Sequence, residues 1–241
     1  MRISNSLANL IKINKIVKQN KFLLEQNENL LRENSNLKEY ISASDECKVT
    51  DYKRWINLAN HSSTWNPRTE MIAKMIKPNS TIIEFGAGRK VLLNYIDESC
   101  KYQPSDCVDR GDDTLIIDLN IAALPKLPPY DYAVFSGVIE YLTDVPKVVK
   151  WLNTFAEHVV LSYLVVEDEK NPAFIQNRGN FGWVNDYSDN EIMDIFLQQN
   201  FEMMDKTFWV DHIEEKNENY KHIIYLFENK SRHSASSHSG T

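Results

Sequence analysis

Cysteine is scarce. Three occur, Cys47, Cys100 and Cys107, an odd number with no Cys-x-x-Cys pair. That speaks against a disulfide framework, and no histidines are spaced to complete a structural zinc site. The cysteine usage points to a reducing, cytoplasmic compartment. Long apolar runs are missing as well: no stretch approaches the roughly 18 residues of a membrane span. The opening MRISNSLANLIKINKIVKQN is basic but broken by polar residues, so it lacks the apolar core of a signal peptide. Excess positive charge is also absent. A formal net charge of -7 excludes a general nucleic-acid binder, and no nucleic-acid partner is expected.

What is present is a globular composition. Hydrophobic residues make up 42% and aromatics 11% of 241 residues, enough for one good-sized domain with an appendage. The organisation expected is a coiled-coil helix over 1–45, a helical lid or cap over 46–78, a main domain over 79–230 and a disordered tail over 231–241.

Residues 7–42 contain neither glycine nor proline. With Ile13, Asn20, Asn27, Asn34 and Ile41 at a, the d positions are Ile16, Leu23, Leu30 and Leu37, and Val17, Leu24 and Leu31 widen the seam at e. This pattern predicts a coiled coil, and asparagines at a favour a small parallel oligomer, a homodimer through residues 7–42. The competing reading is a long amphipathic helix packed on its own domain. A third, membrane-surface contact, rests on Arg2, Lys12, Lys15, Lys18 and Lys21, which precede the first acid, Glu25. In the lid, DYKRWINLAN and PRTEMIAKMIK read as short helices, the second with Pro67 in its first turn.

From residue 80 apolar runs alternate with polar or helical stretches: TIIEF, KYQPSDC, TLIIDLN, YDYAVFSG and HVVLSYLVV, then the helix SDNEIMDIFLQQN, then FEMMDKTFWV and HIIYLFEN. A further helix is expected from about Val145 to Phe155. Strands interleaved with helices predict an α/β, doubly wound, Rossmann-like sheet, mostly parallel, with one antiparallel edge strand supplied by the late pair.

The most informative stretch is TIIEFGAGRK. An apolar strand ends in Glu84 and Phe85 and runs into a turn with glycines at 86 and 88. Ligands bind at the carboxyl ends of such strands, and glycines let backbone approach them. A dinucleotide fingerprint needs a third glycine, and Val91 stands there. Glu84-Phe-Gly-Ala-Gly88 instead resembles the first motif of the class I S-adenosylmethionine-dependent methyltransferases. YQPSD, TLIIDLN and YDYAVFSGVIEYLTD match that family's next three motifs, with Tyr141 in a place commonly held by histidine. The resemblance covers roughly residues 65–228.

It implies S-adenosyl-L-methionine as cofactor. It implies that Glu84, Gly86, Ala87 and Gly88 hold the methionine part, that Asp106 takes the ribose hydroxyls and Asp118, with Leu119, the adenine, and that Ser136 and Gly137 line the cleft. Two departures stand out. Arg89 and Lys90 make the turn basic. Only seven residues separate Asp106 from Thr114, whereas a parallel crossover usually needs about a dozen. Either a helix is missing there or a strand boundary differs, and Asp109 competes with Asp106 for the ribose.

No residue declares itself as the base for methyl transfer. Tyr141, Asp186, His61 and Glu140 are the catalytic candidates, and Trp65 and Arg68 border the cofactor. Asp131, at the start of its strand, reads as structural. The loop NRGNFGWVNDYSD combines aromatics with Arg178, Asn180, Asn185 and Asp186, and Arg178, Trp183 and Asn185 are the candidate substrate contacts, a mixture suited to hydroxylated ligands. No acidic metal cluster and no amino-methylation signature is seen, so oxygen is the expected acceptor. A small acidic domain behind a coiled coil looks like the methyltransferases of bacterial surface-polysaccharide biosynthesis, with a sugar or glycan acceptor. Two alternatives are a non-catalytic methyltransferase-like module scaffolding a glycan-assembly complex and a nicotinamide-dependent oxidoreductase.

Overall fold

The computed structural model describes residues 18–21, 23, 24, 26, 50–111, 113–166, 175, 178, 179, 181–210 and 221–231. The chain divides into two compact units, Met1–Cys47 and Lys48–Thr241. In the first, the seven described residues are helical and exposed. The rest of the 7–42 segment, and with it the expected coiled coil and dimer, lies outside the described residues, as do residues 232–241.

The second unit is built on seven strands: β1 (Thr81–Phe85), β2 (Lys101–Asp106), β3 (Leu115–Ile116), β4 (Tyr130–Ser136), β5 (Ala156–Leu164), β6 (Phe201–Val210) and β7 (Lys221–Asn229). They lie in the order β3-β2-β1-β4-β5-β7-β6. The first five are parallel; β7 runs antiparallel to β5 and to β6. The expected antiparallel edge is therefore the hairpin β6–β7.

The central strands are continuous apolar runs because both faces of the sheet are covered. Alternation sorts their side chains. Ile82, Tyr132, Val134, Val160 and Ile224 pack with Ile72 and Ala73 of helix α2 (Asn66–Ala73) on one face. Ile83, Phe85, Ala133, Phe135, Val159 and Tyr225 pack on the other with helices α3 (Val145–Leu152) and α4 (Asp189–Leu197). Local chemistry sets the helix starts. The Asp144 carboxylate caps α3 on Lys147 N at 3.0 Å. Ser188 and Glu191 form a reciprocal capping box on α4. The earlier helix α1 (Tyr52–Ile56) is capped by Asp51, and α2 carries Pro67 in its first turn. Asp131 accepts from the backbone and hydroxyl of Thr81, which ties the starts of β4 and β1 together.

Two connections are reduced. After β1 there is only a 3-10 turn, Val91–Asn94. Between β2 and β3 no helix occurs among the described residues. The register explains why none is required: Ser105 pairs with Leu115 and Asp106 with Ile116. β3 begins against the end of β2, so the chain retreats by about one residue, roughly 3.3 Å, before pairing. The strand expected over TLIIDLN is reduced to Leu115–Ile116, and among the described residues no helix precedes it. No described helix is long and apolar enough to cross a membrane.

Candidate active site

β1 lies where the strand order reverses, with β2 and β3 to one side and β4 and β5 to the other, so the glycine turn after Phe85 sits at the switch point of the sheet. Gly86 has φ +64°, and a Cβ there would lie 2.6 Å from Val138 Cγ2. Gly88 has φ +50°, and a Cβ would lie 2.4 Å from the His61 ring. Both glycines are set by backbone conformation and by neighbours pressed against them.

Two cavities open at these strand ends. The first, about 220 Å³, runs from Asp106, Ile117, Asp118 and Leu119 past Gly86, Ser136 and Gly137 to Glu140, Tyr141, Trp183 and His222. The second, about 300 Å³, is bordered by Glu84, Gly86, Ala87, Arg89 and Ser136. His61, Trp65 and Arg68 of the lid border both. Asp109 is exposed and its carboxylate accepts from Gly111 N, so Asp106 is the acid of this pair that faces the cavity.

The acids of the turn are buried and engaged. Glu84 is 3% exposed and takes a short hydrogen bond from the Tyr102 hydroxyl. Burial pushes its pKa up to about 8, against the Tyr102 bond, and the charge of Asp106 adds to the rise. Asp106 Oδ2 accepts from Gly88 N at 3.0 Å and Arg110 Nε at 3.3 Å, and its Oδ1 accepts from Val108 N at 3.0 Å. The same Arg110 guanidinium reaches the carbonyls of Trp55 and Ile56. Asp118 accepts from the hydroxyls of Thr50 and Tyr52 and from Asn120 N. Asp106, through Arg110, and Asp118 are therefore both tied to the segment 50–56. Sequence reasoning missed Arg110, Trp55 and the two hydroxyls. A base four residues beyond Asp106 was the only sequence sign of that link.

Beyond Gly137 the wall turns aromatic. Trp183 Nε1 donates to the Tyr141 hydroxyl at 2.9 Å. Trp55 meets Tyr141 edge-on, with centroids 4.8 Å apart, and Phe181 lies 5.2 Å from Trp183. The Arg178 guanidinium lies 4.8 Å over Trp183. Burial pushes the Tyr141 phenol to about 12, so it keeps its proton at neutral pH and makes a poor base. Burial lowers the His61 pKa, and Arg110 contributes.

The loop after β5 divides between cavity wall and support. Phe181 and Trp183 line the cavity. Arg178, Asn185 and Asp186 do not; they form the support behind it. Arg178 donates to Asp186 Oδ1 at 2.7 Å, Leu164 O at 2.6 Å and the Tyr163 hydroxyl at 3.1 Å. The Asn185 amide donates to the carbonyls of Ile139 and Leu142 and accepts from Tyr163. These bonds hold the turn that carries Glu140 and Tyr141. The substrate contact expected of Arg178 and Asn185, and the base expected of Asp186, are replaced in this structure by positioning contacts. Asn180 lies outside the described residues.

Glu140 is 2% exposed. Its Oε1 accepts from Leu164 N at 3.0 Å, while its Oε2 lies buried in the cavity wall without a partner. Burial raises its pKa, opposed by Arg68. His222 also lines this end of the cavity with a buried, partnerless Nδ1. It had no sequence signal.

Comparison with known proteins bears on this geometry. A family model described as a methyltransferase domain matches residues 58–206. No curated protein sequence matches. Many solved structures share the fold. The Burkholderia thailandensis 1,6-didemethyltoxoflavin-N1-methyltransferase with S-adenosylhomocysteine superimposes with TM-score 0.56 at 10% identity, covering 82% of this chain and 89% of that one. An N-methyltransferase of Bradyrhizobium japonicum with S-adenosylhomocysteine gives 0.53 at 10% identity, covering 79% and 98%. The magnesium protoporphyrin IX methyltransferase of Synechocystis, also with S-adenosylhomocysteine, gives 0.53 at 12% identity, covering 78% and 98%. At these identities the likeness is one of fold.

Proposed function

The chain belongs to the methyltransferase-domain family, and on that premise we propose that it is an S-adenosylmethionine-dependent methyltransferase acting on a hydroxyl group of a sugar or glycan. The observation that carries the reading is one cavity at the switch point lined both by the acids Asp106 and Asp118 and by the aromatics Tyr141 and Trp183.

The residues fit the cofactor. Ile117 and Leu119 give apolar surface beside Asp118, which suits a heterocycle with hydrogen-bonding edges. In this reading Asp106, on the first cavity, would take a diol, and Glu84, on the second, an ammonium. When bound, S-adenosylmethionine supplies a methyl group activated by its sulfonium. The protein's part is to orient the acceptor, exclude water and receive a proton. The lid residues Trp55, His61 and Trp65 cover the strand ends and exclude water there. The aromatic wall supports the hydroxylated acceptor, since sugar rings present apolar faces to aromatic planes. The solved relatives named above act on nitrogen compounds and a porphyrin, so the acceptor reading rests on this chain's own residues. The family match removes the nicotinamide alternative.

One observation favours a non-catalytic module instead: the Asp106 carboxylate already accepts four protein donors, from Gly88, Cys107, Val108 and Arg110. Incubation with methyl-labelled S-adenosylmethionine and carbohydrate fractions tests the proposal. Label in an alkali-stable sugar methyl ether supports it. Label in an amine product contradicts the oxygen assignment, and cofactor binding with no transfer to any fraction favours the module.

A further inference from the structure

Glu140 and His222 come from distant parts of the chain and meet at one point of the sheet. Glu140 follows β4, and its Oε1 is fixed on Leu164 N at the end of β5. His222 opens β7, and the antiparallel register sets it directly opposite Leu164. Leu164 thus joins the two side chains, one through its amide and one as its cross-strand neighbour. Both line the aromatic end of the first cavity, at 2% and 8% exposure. Each presents one buried polar atom without a partner, Oε2 and Nδ1. An unsatisfied buried polar atom costs about 1–3 kcal/mol, and native structures leave few, so two on one cavity wall point to a ligand that completes them.

The chemistry of that ligand is constrained. Burial holds His222 neutral, its pKa lowered to about 3, with Arg68 and Arg178 contributing, and the same two guanidiniums act on Glu140. Burial favours the neutral carboxyl of Glu140 and the two guanidiniums favour the carboxylate; with Glu140 ionised and the ring proton on Nε2, both orphan atoms are hydrogen-bond acceptors. A cationic amine would meet the field of two buried guanidiniums. An anion would meet Glu140. A neutral group with two adjacent donors meets neither objection.

We propose that Glu140 Oε2 and His222 Nδ1 form the acceptor subsite and receive a vicinal diol of a neutral sugar ring, whose apolar face lies on Trp183 and Tyr141. This rests on the methyltransferase reading above. Glu140 is the proton acceptor. In such a transfer the acceptor oxygen would attack the methyl carbon, its proton would pass to Oε2, and the carbon–sulfur bonding pair would leave with the sulfur of the cofactor. His222 holds the neighbouring hydroxyl and fixes which oxygen faces the methyl group.

The test uses the full chain saturated with S-adenosylhomocysteine. The probes are methyl glycosides with vicinal diols and their monodeoxy analogues, observed by saturation-transfer NMR. Wild type is expected to contact at least one diol probe, with about tenfold weaker contact to the deoxy analogue. Glu140→Gln and His222→Phe are each expected to remove the preference for the diol. Their S-adenosylhomocysteine affinity should stay within about threefold of wild type. His222→Asn, which keeps a polar group, replaces His222→Phe if the latter unfolds. Cofactor-product binding without contact to any diol probe overturns this inference alone. So does equal contact with the deoxy analogues, or an unchanged preference in both variants. Failure of the wild type to bind S-adenosylhomocysteine overturns the methyltransferase reading itself.

Discussion

The Tyr102 hydroxyl on β2 donates to the Glu84 carboxyl on β1, one strand across, where Glu84 is 3% exposed. Burial lifts Glu84 to about 8, so at pH 7 most of the free protein carries it protonated. An ammonium bound beside it favours the carboxylate and expels that proton. Calorimetry of S-adenosylhomocysteine binding at pH 7, in buffers of differing ionisation enthalpy, is expected to show release of close to one proton. Glu84→Gln should abolish the release. A buffer-independent enthalpy in the wild type would contradict this placement. The sign for stability follows from the same shift. Between about 4.5 and about 8 the unfolded chain loses this proton before the folded one does. Wild-type stability is therefore expected to fall relative to Glu84→Gln as pH rises through that window, by on the order of a few kcal/mol.

Arg110 links Asp106 to the carbonyls of Trp55 and Ile56, and its side chain and that of Asp106 are 6% and 4% exposed. Arg110→Ala is expected to lower unfolding stability by about 3 kcal/mol, because it leaves a buried carboxylate without its cation. It should also free the carbonyls of Trp55 and Ile56. Native-state trypsin cleavage at Lys53 and Arg54 is then expected to accelerate several-fold. Unchanged cleavage would show that the lid does not depend on this link.

Gly86→Ala faces two separate penalties, a positive φ costing about 1–2 kcal/mol and a contact with Val138. The variant is expected to bind S-adenosylhomocysteine at least tenfold more weakly. Adding Val138→Ala should recover only the steric part. Full recovery would mean that the φ penalty was misjudged.

Tyr141→Phe orphans the Trp183 indole N–H, which donates to that hydroxyl at 2.9 Å. A stability loss of about 1 kcal/mol is expected, with a coupling of similar size in a double-mutant cycle with Trp183→Phe. A coupling near zero would show that the aromatic wall is held by packing and the Arg178 contact instead.

Much of the fold was legible because its signals are local. The central buried strands are short apolar runs bounded by polar residues. The seven-residue gap after Asp106 correctly warned of a missing helix, although only the register showed why the chain can do without it. The glycine turn was legible from Gly86 and Gly88 behind an apolar strand, whereas Glu84, Asp106 and Asp118 were singled out through the motifs that resemble the family's. The acceptor side was not legible. His222 lies near the start of its strand, yet it reaches the site because β7 runs opposite to its neighbours. Trp55 reaches it through a backbone carbonyl held by Arg110, a contact that no spacing encodes. Arg178, Asn185 and Asp186 share a loop with Trp183, but their hydrogen bonds turn them behind the wall.

The central claim is that this switch-point cavity binds S-adenosylmethionine. Its most direct test is calorimetric titration of the purified chain with S-adenosylhomocysteine, beside NAD and beside Asp106→Ala. The account predicts single-site micromolar binding to the wild type, a large loss in the variant and no heat with NAD. Absence of binding to the wild type would contradict it.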